Sequence, residues 1–350
     1  MTIQNRKADH INICAREDIT PGHCYWDDIR PVHNALPEID ADEIDMSCTL
    51  FGKRLEMPLV VTAITGGFPG ATKINANIAK ACAEMGVAMG VGSERAGITG
   101  YFPESFYVVK DYDVPLVIGN IGAPQLVPQN GHAPFTHHDV QSAMDLVDAD
   151  IMAVHLNFLQ EVVQPEGDVN ARGCTEAIAD LAKEFPIMVK ETGGGVSADV
   201  ARRISGLGIR GIDVAGMGGT SFAAVEQYRA MVASDKIHAA LGATFFDWGI
   251  PSPVAVSQVK DCGLPVIASG GVLNGIHVAS SIMLGATAAG LANAVLREAM
   301  DSTAAVVEKL TIIKEELKAA MLLTGCSNLK ELSKAPKVIL GETRQWMDSL

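Results

Sequence analysis

The stretch CGLPVIASGGVLNGIHVASSIMLGATAAGLANAVL, residues 262–296, decides the fold. It holds no Asp, Glu, Lys or Arg, and its length alone would allow a membrane span. Pro265, Gly270, Gly271, Asn274, Gly275 and His277 interrupt it, however. An apolar run at 265–268, a small-residue turn, a helical pattern at 277–284 and a second apolar run at 286–291 follow one another. That order reads as strand, Gly turn, core helix and strand, one unit of a buried parallel sheet.

The same unit recurs upstream. Short apolar runs stand at 58–63, 87–91, 115–119, 150–156, 186–189 and 211–214, with helical patterns at 71–85, 139–147, 173–184 and 197–206. With the two runs above they make eight strands alternating with helices. This predicts an α/β chain closed into a (β/α)8 TIM barrel, with a doubly wound open sheet as the structural rival. The barrel is expected over 56–298, after an N-terminal extension (1–55) that contributes to the active site and before a C-terminal helical region (299–350), with a charged amphipathic helix near 301–320. The spacing breaks once, at about 221–263. Pro251 there disfavours a continuing helix, so a lid or subdomain beside the mouth is expected.

The composition agrees. The 350 residues are 48% apolar and only 5% aromatic, with 34 Gly, which suits buried strands joined by tight turns. A formal net charge of −14 argues against nucleic acid and anionic membranes as partners. An anionic substrate would need a locally basic pocket. The seven cysteines (14, 24, 48, 82, 174, 262, 326) form no C-x-x-C pair. They read as reduced thiols rather than a zinc site. The polar start MTIQNRKADH is no signal peptide, and a cytoplasmic location follows from both features.

Active groups in such a barrel sit where strands end. After the seventh strand comes Ser269-Gly270-Gly271, and after the eighth Gly290-Leu291-Ala292-Asn293. Small residues at these two loops expose backbone N–H groups to a phosphate. Gly218-Gly219-Thr220-Ser221 adds a further small-residue surface. Thr65, Ser93 and Asn120 end the first three strands and could bind a flat heteroaromatic edge or merely cap helices. By strand parity Lys190 points inward with Met188. It could form a Schiff base, bind phosphate, place positive charge beside a reduced flavin, or pair with a carboxylate. On the fourth strand Ala153, His155 and Asn157 share a face, and Gln160 and Glu161 follow. One carboxylate among neutral acceptors suits Mg2+ completed by substrate phosphate oxygens.

These segments resemble the type 2, FMN-dependent isopentenyl-diphosphate Δ-isomerases. The resemblance spans most of the chain and rests on Arg6-Lys7-Ala8-Asp9-His10-Ile11, Thr65-Gly66-Gly67, Gly92-Ser93-Glu94-Arg95, Lys190-Glu191, Gly218-Gly219-Thr220-Ser221 and Asp247-Trp248-Gly249-Ile250-Pro251. Its most specific part is His155-Leu156-Asn157-Phe158-Leu159-Gln160-Glu161 with Gln164-Pro165-Glu166-Gly167-Asp168. It implies that Arg6, Lys7, His10, Ser93, Glu94, Arg95, His155, Asn157 and Gln160 hold the substrate. Gln160 would stand beside the allylic group, and Glu161 would bind Mg2+. Ala63, Ile64, Thr65, Ser93, Asn120, Lys190, Thr220, Gly270, Gly271, Leu291 and Ala292 would form the FMN cradle, with Glu226 as polar support. It further implies isomerisation of isopentenyl diphosphate to dimethylallyl diphosphate, with reduced FMN as acid and base and NADPH or NADH as its reductant. A homo-oligomer (tetramer or octamer) is expected from the apolar segments flanking the barrel. Two departures from the family pattern stand out: Ala215, where Ser is common, and residues 272–277, which lack the frequent Arg and Asp. The rival enzyme class is an FMN-dependent 2-hydroxy-acid oxidase or dehydrogenase, disfavoured because 264–296 contains no Arg for a substrate carboxylate. A non-catalytic flavin- or phosphate-binding barrel is the remaining alternative.

Overall fold

Eight short parallel strands close on one another in chain order in the computed structural model, which describes residues 3–350. They are β1 (Leu59–Val61), β2 (Ala88–Gly90), β3 (Val117–Gly122), β4 (Ile151–Leu156), β5 (Ile187–Glu191), β6 (Ile212–Asp213), β7 (Val266–Ala268) and β8 (Ala288–Leu291). Each falls within or beside one of the eight runs expected from sequence. β8 pairs with β1, Ala289 opposite Leu59, so no edge is left open.

The strands are apolar on both faces for two reasons. Val60, Ala88, Ile118, Ile151, Ala153, Met188, Ile267 and Ala288 fill the barrel interior. The alternate residues, such as Val61, Met89, Val154, Val189 and Val266, pack outward against the helices. The far end of the barrel is plugged by a hairpin from the N-terminal extension, Cys48–Leu50 paired with Lys53–Leu55. Leu50 and Leu55 join the interior cluster, with Phe51 packed against it. A Cβ on Gly211, just before β6, would lie 2.6 Å from the Phe51 ring, so only glycine leaves room for the plug.

The rest of the extension runs to the opposite end. The helix Ile3–Arg16 lies at the mouth, and the turn Tyr25–Asp28 leads into Ile29–Pro31, which pairs antiparallel with Lys337–Ile339. The C-terminal helix Thr303–Thr324 buries Val306, Leu310, Ile313, Leu317 and Met321, a stripe at helical spacing. Ser302 caps its start, and Gly325 ends it at φ 70°.

The break after β6, where a lid or subdomain was expected, holds two added helices. Helices Phe222–Val232 and Lys236–Thr244 pack on each other, and Ser252–Val259 then returns to β7 as the ordinary barrel helix. Pro251 does not break a helix. It stands at the start of one, where its fixed φ fits and its missing N–H costs nothing. No helix among the described residues is long and apolar enough to cross a membrane, and the seven cysteines are free.

Candidate active site

The inward parity that fills the barrel with Val60, Ile118, Ala153, Met188 and Ile267 continues one step further toward the mouth. Two residues on stand Thr62, Asn120, His155, Lys190 and Ser269, joined by Asp213 on β6. A ring of polar groups thus tops the apolar core, all less than a tenth exposed. Lys190 Nζ donates to Asp213 Oδ2 at 2.6 Å and to Ser269 Oγ at 3.5 Å. Thr62 Oγ1 donates to Asp213 Oδ2 at 3.3 Å, Ser269 Oγ donates to Asp213 Oδ1, and the Ala215 N–H reaches Oδ1 at 3.3 Å. Of the roles open to Lys190, the ion pair is therefore realised. Its charge still faces the mouth, because Lys190 lines the cavity there.

That cavity, about 320 Å³, draws lining residues from all eight strand ends and from the N-terminal helix. Arg6, Lys7, His10, Ser93, Arg95, His155, Asn157, Gln160 and Glu161 line it together with Ala63, Ile64, Thr65, Asn120, Lys190, Thr220, Gly270, Gly271 and Ala292. Two expected contacts do not. Glu94 follows Ser93 but turns the other way: its carboxyl is fully buried under β3, with Oε2 accepting the Asn120 N–H at 2.6 Å. Burial pushes its pKa up to about 8, against that hydrogen bond and the charge of Lys7. Leu291 also faces away. On β8 the residues Ala288 and Gly290 point inward, so Leu291 packs among the helices and offers only its carbonyl, to the Thr62 N–H at 2.7 Å.

The loop after β4 closes upon itself around Glu161. Asn157 Nδ2 donates to Glu161 Oε1 at 2.9 Å, and the Asp168 N–H donates to Oε2 at 2.8 Å. Gly167 makes the second contact possible, since a Cβ there would lie 1.7 Å from the Glu161 carbonyl oxygen. Burial raises the Glu161 carboxyl, and the bonds from Asp168 and Asn157 oppose that. Asp168 is held in turn by Arg95 Nη1 at 2.9 Å. On the other side, Gln160 Nε2 donates to Glu226 Oε1 at 2.9 Å, and His10 Nε2 meets the same oxygen at 2.9 Å. Burial raises Glu226, but His10, Arg229 and Gln160 overcome it and hold its pKa at about 2. Burial keeps His10 below its ordinary value against the pull of Glu226, and Arg229 adds a counter-charge to Glu226 through Nη1. Arg229 also reaches Glu166 Oε1 at 2.7 Å, which ties the Gln164–Asp168 segment to helix Phe222–Val232.

His155 has a fixed tautomer. Asn120 Nδ2 donates to Val91 O at 3.0 Å, so Asn120 Oδ1 faces His155 Nδ1 at 2.7 Å and must accept from it. The Nε2 lone pair is left for the mouth. Burial, with Lys7 and Lys190 nearby, depresses this ring to about 3. Lys7 donates to the Ser93 carbonyl at 2.9 Å, and burial beside Arg6 brings it down to about 7.

The residues present fit a flavin phosphate. The loops after β6 and β7 meet backbone to backbone: a Cβ on Gly219 would lie 2.6 Å from Gly271 N, and one on Gly270 2.3 Å from Gly216 O. No side chain can then cover these N–H groups, the requirement for an anion to reach them. They fit Mg2+ as well. Glu161 Oε2 accepts from Asp168 and, at 3.5 Å, from Gln164, whereas Oε1 accepts only from Asn157, and the residue lines the cavity.

Fold and site together define a (β/α)8 barrel built to hold a phosphate-bearing cofactor and a second anion at one mouth. Solved structures of the same fold include a flavocytochrome b2 variant (TM-score 0.68, 17% identity, 98% of this chain and 84% of that one). A mandelate oxidase variant carrying an FMN adduct also matches (TM-score 0.61, 15% identity, 94% and 95%). The profile of the FMN-dependent dehydrogenase family matches residues 170–338. Full-length relatives are more specific. Isopentenyl-diphosphate delta-isomerases from Thermoplasma volcanium (44% identity, 99% of each chain), Methanothrix thermoacetophila (44%, 99% and 96%) and Archaeoglobus fulgidus (39%, 99% of each) align along the chain. The chain belongs to the FMN-dependent isopentenyl-diphosphate delta-isomerase family.

Proposed function

We propose that the protein interconverts isopentenyl diphosphate and dimethylallyl diphosphate, with FMN and Mg2+ at the mouth of the barrel. The observation that carries this reading is the loop after β4. It sets a single carboxylate, Glu161, in a cage of neutral donors, with Gln160 held beside it and Lys7 and Arg6 lining the same cavity.

Moving a carbon–carbon double bond along an allyl unit requires a proton to be added at one carbon and another removed two carbons away. Bound reduced FMN supplies the acid and base for that exchange. Glu161 holds Mg2+, which neutralises diphosphate charge. Arg6 and Lys7, on the N-terminal helix, grip the same group and thereby fix the alkene by its polar end. Gln160, locked to Glu226 and His10, bounds the space left for the alkene. Lys190, which lines the cavity, would offer positive charge to a bound flavin, moderated by Asp213. The reaction has no net redox change, so NADPH or NADH serves only to reduce the flavin before turnover. We further propose a cytoplasmic homo-oligomer, a tetramer or octamer, as the working form.

The test is proton exchange into isopentenyl diphosphate in D2O, with FMN, NADPH and Mg2+ added in turn. Deuterium should enter substrate and product only when all three are present. Exchange with oxidised FMN and a chelator would overturn the reading.

A further inference from the structure

The loop after β7 has an odd construction. Gly270 and Gly271 sit at φ 94° and 77°, where only glycine is at ease, and no charged side chain occurs from Val272 to Ile276. The groups that fix this loop come from the far end of the chain. Trp26, 1% exposed, donates its indole Nε1–H to the Gly270 carbonyl at 2.8 Å. One residue on, Asp27 Oδ1 lies 3.0 Å from His277 Nε2. The Leu273 N–H points at His277 Nδ1 at 3.3 Å, while Asn274 Nδ2 stands 3.5 Å from Nε2, farther off than the Asp27 carboxylate. Nδ1 is therefore the acceptor, and the neutral ring carries its proton on Nε2 and donates it to Asp27.

This tautomer decides between two readings of the cluster. Cys24, Asp27 and His277 present ligand atoms within 4.8 Å of one another, as a metal site would. A metal on Nε2 needs the lone pair that the Nε2–H bond occupies, and the Leu273 N–H opposes the alternative tautomer. The cluster is a clamp. Its geometry also has a direction. In a trans peptide the carbonyl and the following N–H point opposite ways. With Gly270 C=O drawn toward Trp26, which is not among the cavity's lining residues, the Gly271 N–H is turned away from Trp26. Gly271 lines the cavity, and Gly219 leaves its nitrogen uncovered.

We infer that the turn Tyr25–Asp28 presets the cofactor-phosphate loop, making Trp26 and Asp27 positioning residues for the FMN phosphate. This rests on the reading that the phosphate sits at Gly270–Gly271. It explains how that loop dispenses with a charged side chain of its own: the N-terminal extension orients its peptide planes from behind.

The test separates the phosphate from the rest of the cofactor. Apoprotein is titrated with FMN and with riboflavin, which lacks the phosphate, and flavin fluorescence gives both dissociation constants. Trp26→Phe should weaken FMN about fivefold or more, one hydrogen bond's worth, while riboflavin stays within about twofold. Asp27 has a 58% exposed side chain, so Asp27→Ala should fold and shift the FMN-to-riboflavin ratio the same way, by a smaller factor. Asp27→Asn keeps an acceptor for His277 and should restore the wild-type ratio. Equal loss of both flavins, or an unchanged ratio in both Trp26→Phe and Asp27→Ala, would overturn the inference. A wild-type protein binding riboflavin as tightly as FMN would overturn the phosphate-loop reading itself, and the inference with it.

Discussion

If Lys7 grips the diphosphate as proposed, binding should depend on pH in a specific window. Burial beside Arg6 brings the ammonium from 10.5 down to about 7 in the free protein. A diphosphate stabilises the charged form, so in the complex the pKa rises again. Below about pH 7 Lys7 is protonated with or without ligand, and affinity is insensitive to it. Above that pH, binding must take up a proton, and each pH unit costs a factor of about ten until the pKa of the complex is reached. The window from pH 8 to 9.5 lies above the free-state pKa of Lys7. The ligand's phosphates are fully ionised there, since their last pKa is near 6. His155, at about 3 when free, adds no change of its own in the free protein. The dissociation constant should rise about 30-fold across that window. Glu94, at about 8, ionises within it and favours a charged Lys7, so Glu94→Gln should move the onset to lower pH. Isothermal titration of isopentenyl diphosphate into protein with oxidised FMN and Mg2+ reads both quantities. The slope gives the proton count, and buffers of different ionisation enthalpy confirm it. Lys7→Arg should bind with no slope across the window. A flat wild-type profile, or a slope that survives in Lys7→Arg, would refute the reasoning.

Three more outcomes follow from the site. Glu161→Gln should abolish Mg2+-dependent turnover while FMN affinity stays within about twofold, because Glu161 stands on the β4 loop away from the glycine loops; flavin titration and a metal-dependence curve check it. Gly167→Ala should lower both melting temperature and Mg2+ affinity, at a cost above about 2 kcal/mol, since its Cβ would fall 1.7 Å from the Glu161 carbonyl and the loop must open; a variant with wild-type metal affinity would remove Gly167 from the site's support. Asp213→Asn should raise the flavin reduction potential by roughly 30 mV, equivalent to about 1.4 kcal/mol for a two-electron couple, because Lys190 loses its counter-charge; equilibration with a redox dye measures it, and an unchanged or lowered potential would contradict the role given to the pair.

The barrel was legible because its signal is repetitive: eight apolar runs of strand length, each ended by small or polar residues. At the break after β6 Pro251 marked where no helix continues, but local sequence does not say that a new helix starts directly after it. At the mouth, parity found His155 and Lys190. The same rule, applied to Ile212-Asp213-Val214, Val60-Val61-Thr62 and Ile267-Ala268-Ser269, would have found Asp213, Thr62 and Ser269, so the signal was present and unused. It would also have turned Leu291 away from the cavity. Glu94 is a different case, because loop residues have no fixed period and only the fold shows its carboxyl beneath Asn120. The links of Arg229 to Glu166 and of Trp26 to Gly270 join segments 63 and 244 residues apart, and no local pattern encodes such contacts.

On the proposed reading the two anions of the mouth are met by different physics. The flavin phosphate would, on that reading, be met by neutral backbone N–H groups on glycine loops, whose cost lies in conformation rather than desolvated charge. The diphosphate would likewise be met by formal charges, Arg6 and Lys7 with a cation on Glu161, all of which line the cavity. Between the two, Lys190 carries its own carboxylate. A chain with 14 more acidic than basic charges can still present positive charge here, because Arg6, Lys7, Arg95 and Lys190 line one concave, poorly screened place. Lys7 takes this furthest. Its lowered pKa means that the free mouth sheds positive charge above neutral pH and regains it only when the diphosphate arrives. A competing monoanion, with less charge to hold the proton on Lys7, should therefore lose affinity at lower pH than the diphosphate does. Over pH 7–9 the site should discriminate between them increasingly in favour of the substrate.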